Sequence, residues 1–307
     1  MFDLLFLGTG ASVPSRDRAL PCVAARRGPD IFLFDCGEGS QRQLMVSPFS
    51  FMKVRAVFVT HLHGDHFYGL PGLLQTMGLM GRKDPLLVCG PEGFSDALQK
   101  VIDVCEGTLE YELDSRDLRP GDTLEIDGLE LRAFATDHGI ASLGYRLTEP
   151  PSRGSIIPEK AKALGITGPE FSELEDGGTV RGATISDITG PERPGVSIVY
   201  TGDTRPCETI IEAAEGADAI VHEATYADED SRLAVDHMHS TAGEAAEDAK
   251  KAGCGSLFLV HVSNRYRDKA AVKEDAEKVF GEKVYLPSDM DQYRVTRGGV
   301  EFIPRSD

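Results

Sequence analysis

The chain has 307 residues, of which 41% are hydrophobic and 27% charged, as expected for a globular protein of one large or two small domains. No basic stretch followed by an apolar segment opens the sequence, and no run reaches the roughly 18–20 apolar residues of a membrane span, so we expect neither a signal peptide nor a membrane helix. The six cysteines form no CxxC pair, which favours reduced thiols in a cytoplasmic protein over a disulfide framework.

The net charge of −18 is the unusual feature of the composition. At face value it argues against a nucleic-acid substrate, because proteins normally meet phosphates with a basic surface. Two interpretations remain: the substrate is not anionic, or the protein works in concentrated salt, where screening shortens the reach of repulsion. Acidic residues occur along the whole chain and Arg is more common than Lys. These features favour the second interpretation, a halophilic protein.

Short apolar strands alternate with helices and Gly/Asp-rich loops, a pattern typical of the α/β class. Strands are predicted at residues 3–8, 30–35, 56–60, 86–90, 129–136, 142–147, 196–203, 218–224 and 256–262. Helices are predicted at residues 69–80, 93–105, 207–214, 241–252 and 269–280. The helix at 241–252 opens with the sequence TAGE, a capping box that marks its start.

The segment at residues 149–180 differs from its surroundings. It is rich in Pro, Gly and charged residues and poor in β-branched residues. We interpret it as an inserted, protruding arm on a single domain that spans residues 1–307.

A dense group of metal-binding side chains follows the third predicted strand. The sequence THLHGDH at residues 60–66 holds His61, His63, Asp65 and His66, at an edge of the sheet where α/β proteins place their sites. Imidazole and carboxylate groups are the ligands expected for Zn²⁺ and tolerated by Mn²⁺ or Fe. Four side chains this close cannot all bind one ion comfortably, so we expect two ions and further ligands.

Three later residues occupy similar positions at the ends of predicted strands. They are His138, Asp203 and His261, and they complete a set of seven ligands, enough for two ions. Two ions activate water and stabilise charge on the attacked and leaving oxygens. This chemistry serves the hydrolysis of phosphodiesters, thioesters or lactams, so the ligands alone do not identify the substrate.

The H-x-H-x-D-H loop with the later His, Asp and His resembles the metallo-β-lactamase superfamily, over nearly the whole chain. The resemblance implies an αββα sandwich of two similar halves, with a two-metal site at one edge. It also assigns the ligands: one ion on His61, His63 and His138, the other on Asp65, His66 and His261, with Asp203 bridging.

Six stretches, in the same order along the chain, are similar to the signature of the ribonuclease Z family. They are FLGTGASVPSRDRALPC (6–22), FDCGEGSQRQL (34–44), HFYGLPGLL (66–74), HEATY (222–226), HST (239–241) and HVSNRY (261–266). The resemblance implies a zinc-dependent endoribonuclease that trims precursor tRNA after the discriminator base and leaves a 3′-hydroxyl. The alternatives are a glyoxalase II-like thioesterase, an arylsulfatase-like hydrolase, or a binding protein without catalysis.

A cut phosphodiester expels an alkoxide, a poor leaving group that benefits from a general acid. His239 directly precedes a predicted helix, whose dipole disfavours the imidazolium form, so a carboxylate should offset it, and Glu223 is the candidate. The family resemblance implies that these two residues are the proton-donating pair and that Asp65 is both ligand and base. We interpret His237 as a surface residue and His222 as a structural partner near the site.

Substrate contacts are expected from two further regions. Arg265 carries a planar guanidinium that matches phosphate oxygens, although an internal salt bridge is an equal alternative. The stretch PEKAKALGITGP at residues 158–169 is similar to the arm of the short-form family, which grips tRNA bound at the other subunit and so implies a homodimer. Lys160 and Lys162 give this arm local positive charge.

Overall fold

The computed structural model describes residues 1–104 and 109–305. Its strands are β1 (Phe2–Gly8), β2 (Cys22–Arg27), β3 (Asp30–Phe34), β4 (Val54–Phe58), β5 (Leu86–Gly90), β6 (Leu113–Asp117), β7 (Thr123–Ile126), β8 (Leu129–Ala135), β9 (Leu143–Thr148), β10 (Ser197–Tyr200), β11 (Ala219–Glu223), β12 (Leu257–Val260), β13 (Val284–Tyr285), β14 (Gln292–Thr296) and β15 (Gly299–Ile303). Its helices are α1 (Ser40–Met45), α2 (Gly64–Phe67), α3 (Gly69–Leu79), α4 (Phe94–Val104), α5 (Pro158–Ala163), α6 (Gly168–Glu175), α7 (Ile185–Ile188), α8 (Glu208–Ala213), α9 (Ser231–His237), α10 (Ala242–Lys251) and α11 (Ala270–Phe280). None of these helices is long and apolar enough to cross a lipid bilayer.

The strands form two sheets. The first has the order β15-β14-β1-β2-β3-β4-β5-β6 and the second β13-β12-β11-β10-β9-β8-β7. Side chains alternate between the two faces of a strand, and in β1 both faces are buried. Phe2, Leu4 and Phe6 face the core between the sheets, whereas Leu5 and Leu7 face the helices.

Helices cover the outer face of each sheet. The first sheet packs against α1, α3 and α4, and the second against α8, α10 and α11. Between the sheets the rings of Phe6 and Phe258 lie 5.3 Å apart. The predicted αββα sandwich is therefore confirmed.

Each predicted strand and helix has a counterpart in the structure; the strand at 86–90 matches β5 at both ends, and most of the others have shifted ends. The strand predicted at 56–60 ends at Phe58, because the Thr60 N–H donates to the Asp35 carboxylate at 2.7 Å and not to a neighbouring strand. The predicted end of α4, at Cys105, lies outside the described residues. Elements without a prediction include the hairpin β14–β15 and the short strand β7; the side chains of β7 and β15 are partly buried or exposed.

The residues Glu149–Gly195 form a compact unit of their own. The unit extends to Gly195, beyond the predicted end of the insertion at residue 180. It contains α5, α6 and α7 and its own apolar cluster, which includes Ile166, Leu174 and Ile188. The rest of the chain, Met1–Thr148 with Val196–Asp307, forms the other unit and contains both sheets. A protruding tRNA-binding arm stays a prediction.

Candidate active site

The loop after β4 carries four of the predicted ligands. His61 and His66 are buried, whereas His63 is exposed. His63 lies directly before Gly64, which is the first residue of α2. A Cβ atom on Gly64 would lie 2.3 Å from the ring of Tyr68, so glycine leaves room for that ring beside the loop.

The other three ligands come from the ends of β8, β10 and β12. His138 lies three residues after β8, Asp203 three residues after β10, and His261 directly after β12. Gly202 has a φ of 63°, and a Cβ atom there would lie 2.6 Å from Cγ2 of Thr60. Glycine therefore permits the close approach of the Asp203 loop to the loop after β4.

A first group of ligands consists of His61, His63 and His138. The Nδ1 atom of His63 lies 3.0 Å from Nε2 of His61 and 3.3 Å from Nε2 of His138. Oδ2 of Asp203 lies 3.8 Å from Nε2 of His61 and 3.6 Å from Nε2 of His138. One ion at the centre of this group would have three imidazole nitrogens and one carboxylate within reach.

A second group consists of Asp65, His66 and His261. Oδ2 of Asp65 lies 3.6 Å from Nε2 of His66 and 3.5 Å from Nε2 of His261. Asp203 also contacts this group, with Oδ1 3.3 Å from His66 and Oδ2 3.3 Å from His261. The structure therefore brings all seven predicted ligands together, with Asp203 between the two groups.

Three buried atoms of the cluster have no hydrogen-bond partner among the described residues, which bears on whether metal ions fit there. Nε2 of His66, Oδ1 of Asp203 and Nε2 of His261 are buried and have no hydrogen-bond partner within residues 1–104 and 109–305. Unpaired buried polar atoms are costly unless an ion or water meets them. Imidazole nitrogens and carboxylate oxygens are also a ligand set that Zn²⁺ accepts. The residues fit divalent metal ions.

Hydrogen bonds behind the ligands orient their rings. Nδ1 of His61 lies 3.0 Å from the Thr60 hydroxyl, Nδ1 of His138 lies 2.9 Å from the Met238 carbonyl, and Nδ1 of His261 lies 2.8 Å from the Thr225 hydroxyl. In each case Nδ1 is engaged, so Nε2 faces the cluster. Outer partners of this kind fix ring orientation and ligand basicity in metal sites.

Asp35 contacts the predicted ligand His66 and was not among the residues predicted from the sequence. This fully buried side chain accepts hydrogen bonds from the Thr60 backbone and hydroxyl at 2.7 and 3.0 Å, and from the Tyr200 hydroxyl at 2.9 Å. It also lies 2.7 Å from Nδ1 of His66. Its place after a buried strand, in FDCGEG, was the available signal, although its partners are far away in sequence.

The cluster has strongly perturbed ionisation. Burial raises the pKa of Asp203, but His261 and His66 outweigh it and leave the pKa well below the usual range. Burial lowers the pKa of His66, but Asp203 and Asp35 outweigh it and leave the pKa well above its usual value. For His61, burial and the positive charge of His66 hold the pKa well below its usual value. Acidic ligands in this site are therefore ionised at neutral pH.

His239 and Glu223 form a second buried arrangement beside the ligands. Nδ1 of His239 lies 2.7 Å from Oε1 of Glu223 and 4.0 Å from Oδ2 of Asp203. Glu223 also accepts hydrogen bonds from the Thr204 and Thr225 backbone and from the Thr225 hydroxyl. Burial lowers the pKa of His239, but Glu223 outweighs it and raises the pKa to about 9. The carboxylate therefore more than offsets the effect of burial on His239.

The remaining predicted residues have different surroundings. Arg265 lies 3.3 Å from the Asp230 carboxylate and over the ring of Tyr226, at 5.3 Å, so the salt-bridge alternative is present in the structure. Lys160 donates to the Thr189 carbonyl at 3.2 Å within its own unit, and Lys162 is exposed. Both lysines belong to the unit Glu149–Gly195, and a contact with tRNA stays a prediction.

Comparisons with known proteins agree with this geometry. A family model described as "Anti-Pycsar protein Apyc1" matches residues 2–164, and one described as "Beta-lactamase superfamily domain" matches residues 169–262. The chain is 44% identical over 301 residues to "Ribonuclease Z" of Methanosarcina acetivorans, covering 96% of this chain and 98% of the relative. It is 42% identical over 294 residues to "Ribonuclease Z" of Natronomonas pharaonis, covering 93% and 95%.

A solved structure, human tRNase Z, short form, superposes with a TM-score of 0.71 at 27% identity, covering 96% of this chain and 99% of that chain. The curated relatives align over nearly the full length of both chains, and the ligand cluster lies in the part that they share. The chain belongs to the ribonuclease Z family and is an endoribonuclease with the metallo-β-lactamase fold.

Proposed function

We propose that this endoribonuclease removes the 3′ trailer from precursor tRNA, cutting after the discriminator base. The single observation that carries the proposal is the His239–Glu223 pair beside the seven-ligand cluster. A thioester expels a thiolate, which leaves without a proton, whereas the 3′ oxygen of a tRNA needs one. The names of the relatives support tRNA as the substrate.

The cofactor we propose is zinc, two ions per subunit, with Mn²⁺ as a substitute. Two such ions supply an activated water and stabilise negative charge on the phosphate oxygens. His61, His63 and His138 would hold one ion, and Asp65, His66 and His261 the other, with Asp203 shared. In this arrangement Asp65 is also placed to accept a proton from the attacking water, because its Oδ2 lies within the second group.

The chain's own contribution to bond breaking is the proton. When water adds to phosphorus, the bond from phosphorus to O3′ breaks, and O3′ leaves with the bonding electron pair. Glu223 engages Nδ1 of His239, which leaves Nε2 to deliver a proton to O3′. The products are a tRNA with a 3′-hydroxyl and a trailer with a 5′-phosphate.

We propose that Arg265 and the unit Glu149–Gly195 bind the substrate. The Arg265 side chain is 41% exposed, and its guanidinium contacts Asp230 and Tyr226. The remaining N–H groups of the guanidinium could donate to phosphate oxygens. In the separate unit, Lys160 and Lys162 lie two residues apart on α5. We propose that these lysines contact the tRNA through its phosphates.

A homodimer is proposed because the arm of the short-form family serves the partner subunit. Helices α1 and α3 contact each other through Gln41 and Thr76. Large apolar side chains at or just beyond their ends are more than half exposed, namely Met45, Val46, Leu79 and Met80. Association of two copies would cover apolar surface of this kind.

We place the enzyme in a cytoplasm rich in salt, where screening would reduce repulsion between tRNA and a chain of net charge −18.

The decisive experiment incubates the protein with precursor tRNA and Zn²⁺ or Mn²⁺, in low and in molar KCl. We expect a single cut after the discriminator base, and a higher unfolding temperature in molar KCl. The folded, metal-loaded protein should cut in at least one salt condition, and failure in both would overturn the proposal. Activity and folding confined to low salt would overturn the halophilic interpretation alone.

A further inference from the structure

His222 and Asp248 are two buried polar side chains outside the metal cluster. His222 lies on β11 with 0% exposure, and Asp248 lies on α10 with 2% exposure. Their facing atoms, Nε2 of His222 and Oδ2 of Asp248, are 3.8 Å apart. Neither atom has a hydrogen-bond partner in the part of the chain that the structure describes.

The orientation of His222 is fixed by its other nitrogen. Nδ1 donates to the backbone carbonyl of Glu223 at 2.7 Å, which leaves Nε2 on the side of Asp248. Each unpaired buried polar atom costs about 1–3 kcal/mol. One proton held between Nε2 and Oδ2 would give both atoms a partner after a small shortening of the gap, so we treat the two residues as a pair.

Helix packing alone does not explain a carboxylate at position 248. The neighbouring buried positions of α10 are small residues, including Ala245, Ala246 and Ala249, and they let the helix lie close to the second sheet. Aspartate is a weaker helix former than alanine, and burying its charge is unfavourable without a partner. The pair with His222 gives Asp248 a specific role at this contact.

The pair joins the two segments that carry the proposed proton donor. His222 directly precedes Glu223 on β11, and Asp248 lies on the helix that begins three residues after His239. We propose that His222 and Asp248 are a positioning pair that holds Glu223 and His239 in register for protonation of the leaving oxygen. The proposal rests on the proposed function of this same site.

The test compares two substrates with different leaving groups. Precursor tRNA expels an alkoxide that needs a proton, whereas bis(p-nitrophenyl) phosphate expels a nitrophenolate that does not. We expect Asp248→Asn to lower kcat on precursor tRNA by about 10- to 100-fold, the scale of a small misplacement of a catalytic group. KM for precursor tRNA and hydrolysis of bis(p-nitrophenyl) phosphate should stay unchanged.

A double-variant experiment tests whether Asp248→Asn lowers kcat by acting through His239. In a His239→Ala background, Asp248→Asn should cause no further loss, because the group it positions is already absent. Glu247→Gln is the matched control: it changes an adjacent, exposed carboxylate that pairs with Lys251 and should leave both reactions unchanged. If Asp248→Asn does not fold, the apolar double variant His222→Phe with Asp248→Leu removes both polar atoms and tests the same prediction.

Equal losses on both substrates would overturn the positioning role, because they would indicate a general structural effect. Unchanged cleavage of precursor tRNA, or a further loss in the His239→Ala background, would overturn it as well. Failure of the proposed function would look different. The wild-type protein would hydrolyse bis(p-nitrophenyl) phosphate and leave precursor tRNA intact, and the proposed role of the His222–Asp248 pair would fall with it.

Discussion

Asp35 and His66 are joined by a 2.7 Å contact between Oδ2 and Nδ1. Both side chains are buried, and Asp35 has a φ of 58°, a backbone conformation that Asp tolerates better than most residues. The contact fixes the ring so that Nε2 of His66 faces Asp65 and Asp203. Asp35 therefore orients a predicted metal ligand and is not itself in the predicted ligand set.

The first prediction concerns Asp35→Asn. The amide places an NH₂ group where the Thr60 N–H and the Thr60 and Tyr200 hydroxyls now donate. His66 should therefore lose its fixed orientation, and zinc affinity should fall about 10- to 100-fold. Competition with a chelator series, read out as zinc content, measures the change. Asp30→Asn, at the partly exposed start of β3, the strand that Asp35 directly follows, is the control. Unchanged zinc binding by Asp35→Asn would contradict the orienting role.

The second prediction concerns His239→Ala. Loss of a general acid should slow cleavage of precursor tRNA by about 10²- to 10⁴-fold, with zinc content unchanged. Arg232→Ala, at a 95% exposed side chain of the nearby helix α9, is the control and should keep its activity. Zinc loss from His239→Ala would show that the residue is a ligand, since Nδ1 lies 4.0 Å from Asp203.

The third prediction separates the two lysines of α5. Lys162 is exposed, so Lys162→Ala should raise KM for precursor tRNA several-fold and reduce the salt dependence of binding by about one counterion. Lys160 donates to the Thr189 carbonyl, so Lys160→Ala should also loosen its own unit. Limited proteolysis of Glu149–Gly195 measures that loosening. Identical KM values for wild type and Lys162→Ala would argue against a tRNA contact at this position.

The fourth prediction concerns the pH dependence of stability. Burial raises the pKa of Asp3, but hydrogen bonds and charges from Arg294 and Arg26 outweigh it and leave the pKa below the usual value. A lowered pKa in the folded state stabilises the protein above the unfolded pKa of about 3.9, and this contribution is lost as pH falls through the folded pKa.

Asp3→Asn should therefore destabilise the fold at pH 7. We expect a loss of about 1 kcal/mol, because the side chains of Arg26 and Arg294 are 30% and 38% exposed and solvent screens the pair. Urea unfolding at pH 7 and near pH 3 measures the difference between wild type and variant. A difference that stays constant or grows at acidic pH would contradict the linkage.

Much of the fold followed from the sequence, because strands buried on both faces leave continuous apolar runs that are easy to recognise. The run at β1 and the run at β12 are both of this kind. The partly exposed hairpin β14–β15 carries no such run. The three helices within Glu149–Gly195 were hidden by Pro and Gly, although Pro serves there as a first-turn residue of α5 and α6.

At the site, the sequence by itself was enough to predict the seven candidate ligands, because His61, His63, Asp65 and His66 crowd one loop and the others follow strands. Only the tertiary structure decided how they are held. Asp35 contacts Thr60, His66 and Tyr200, and the last of these is 165 residues away along the chain. The pairing of His222 with Asp248 arises in the same way, since it depends on how closely an alanine-lined helix packs on its sheet. Contacts of this range depend on packing between elements, which no local pattern of residues encodes.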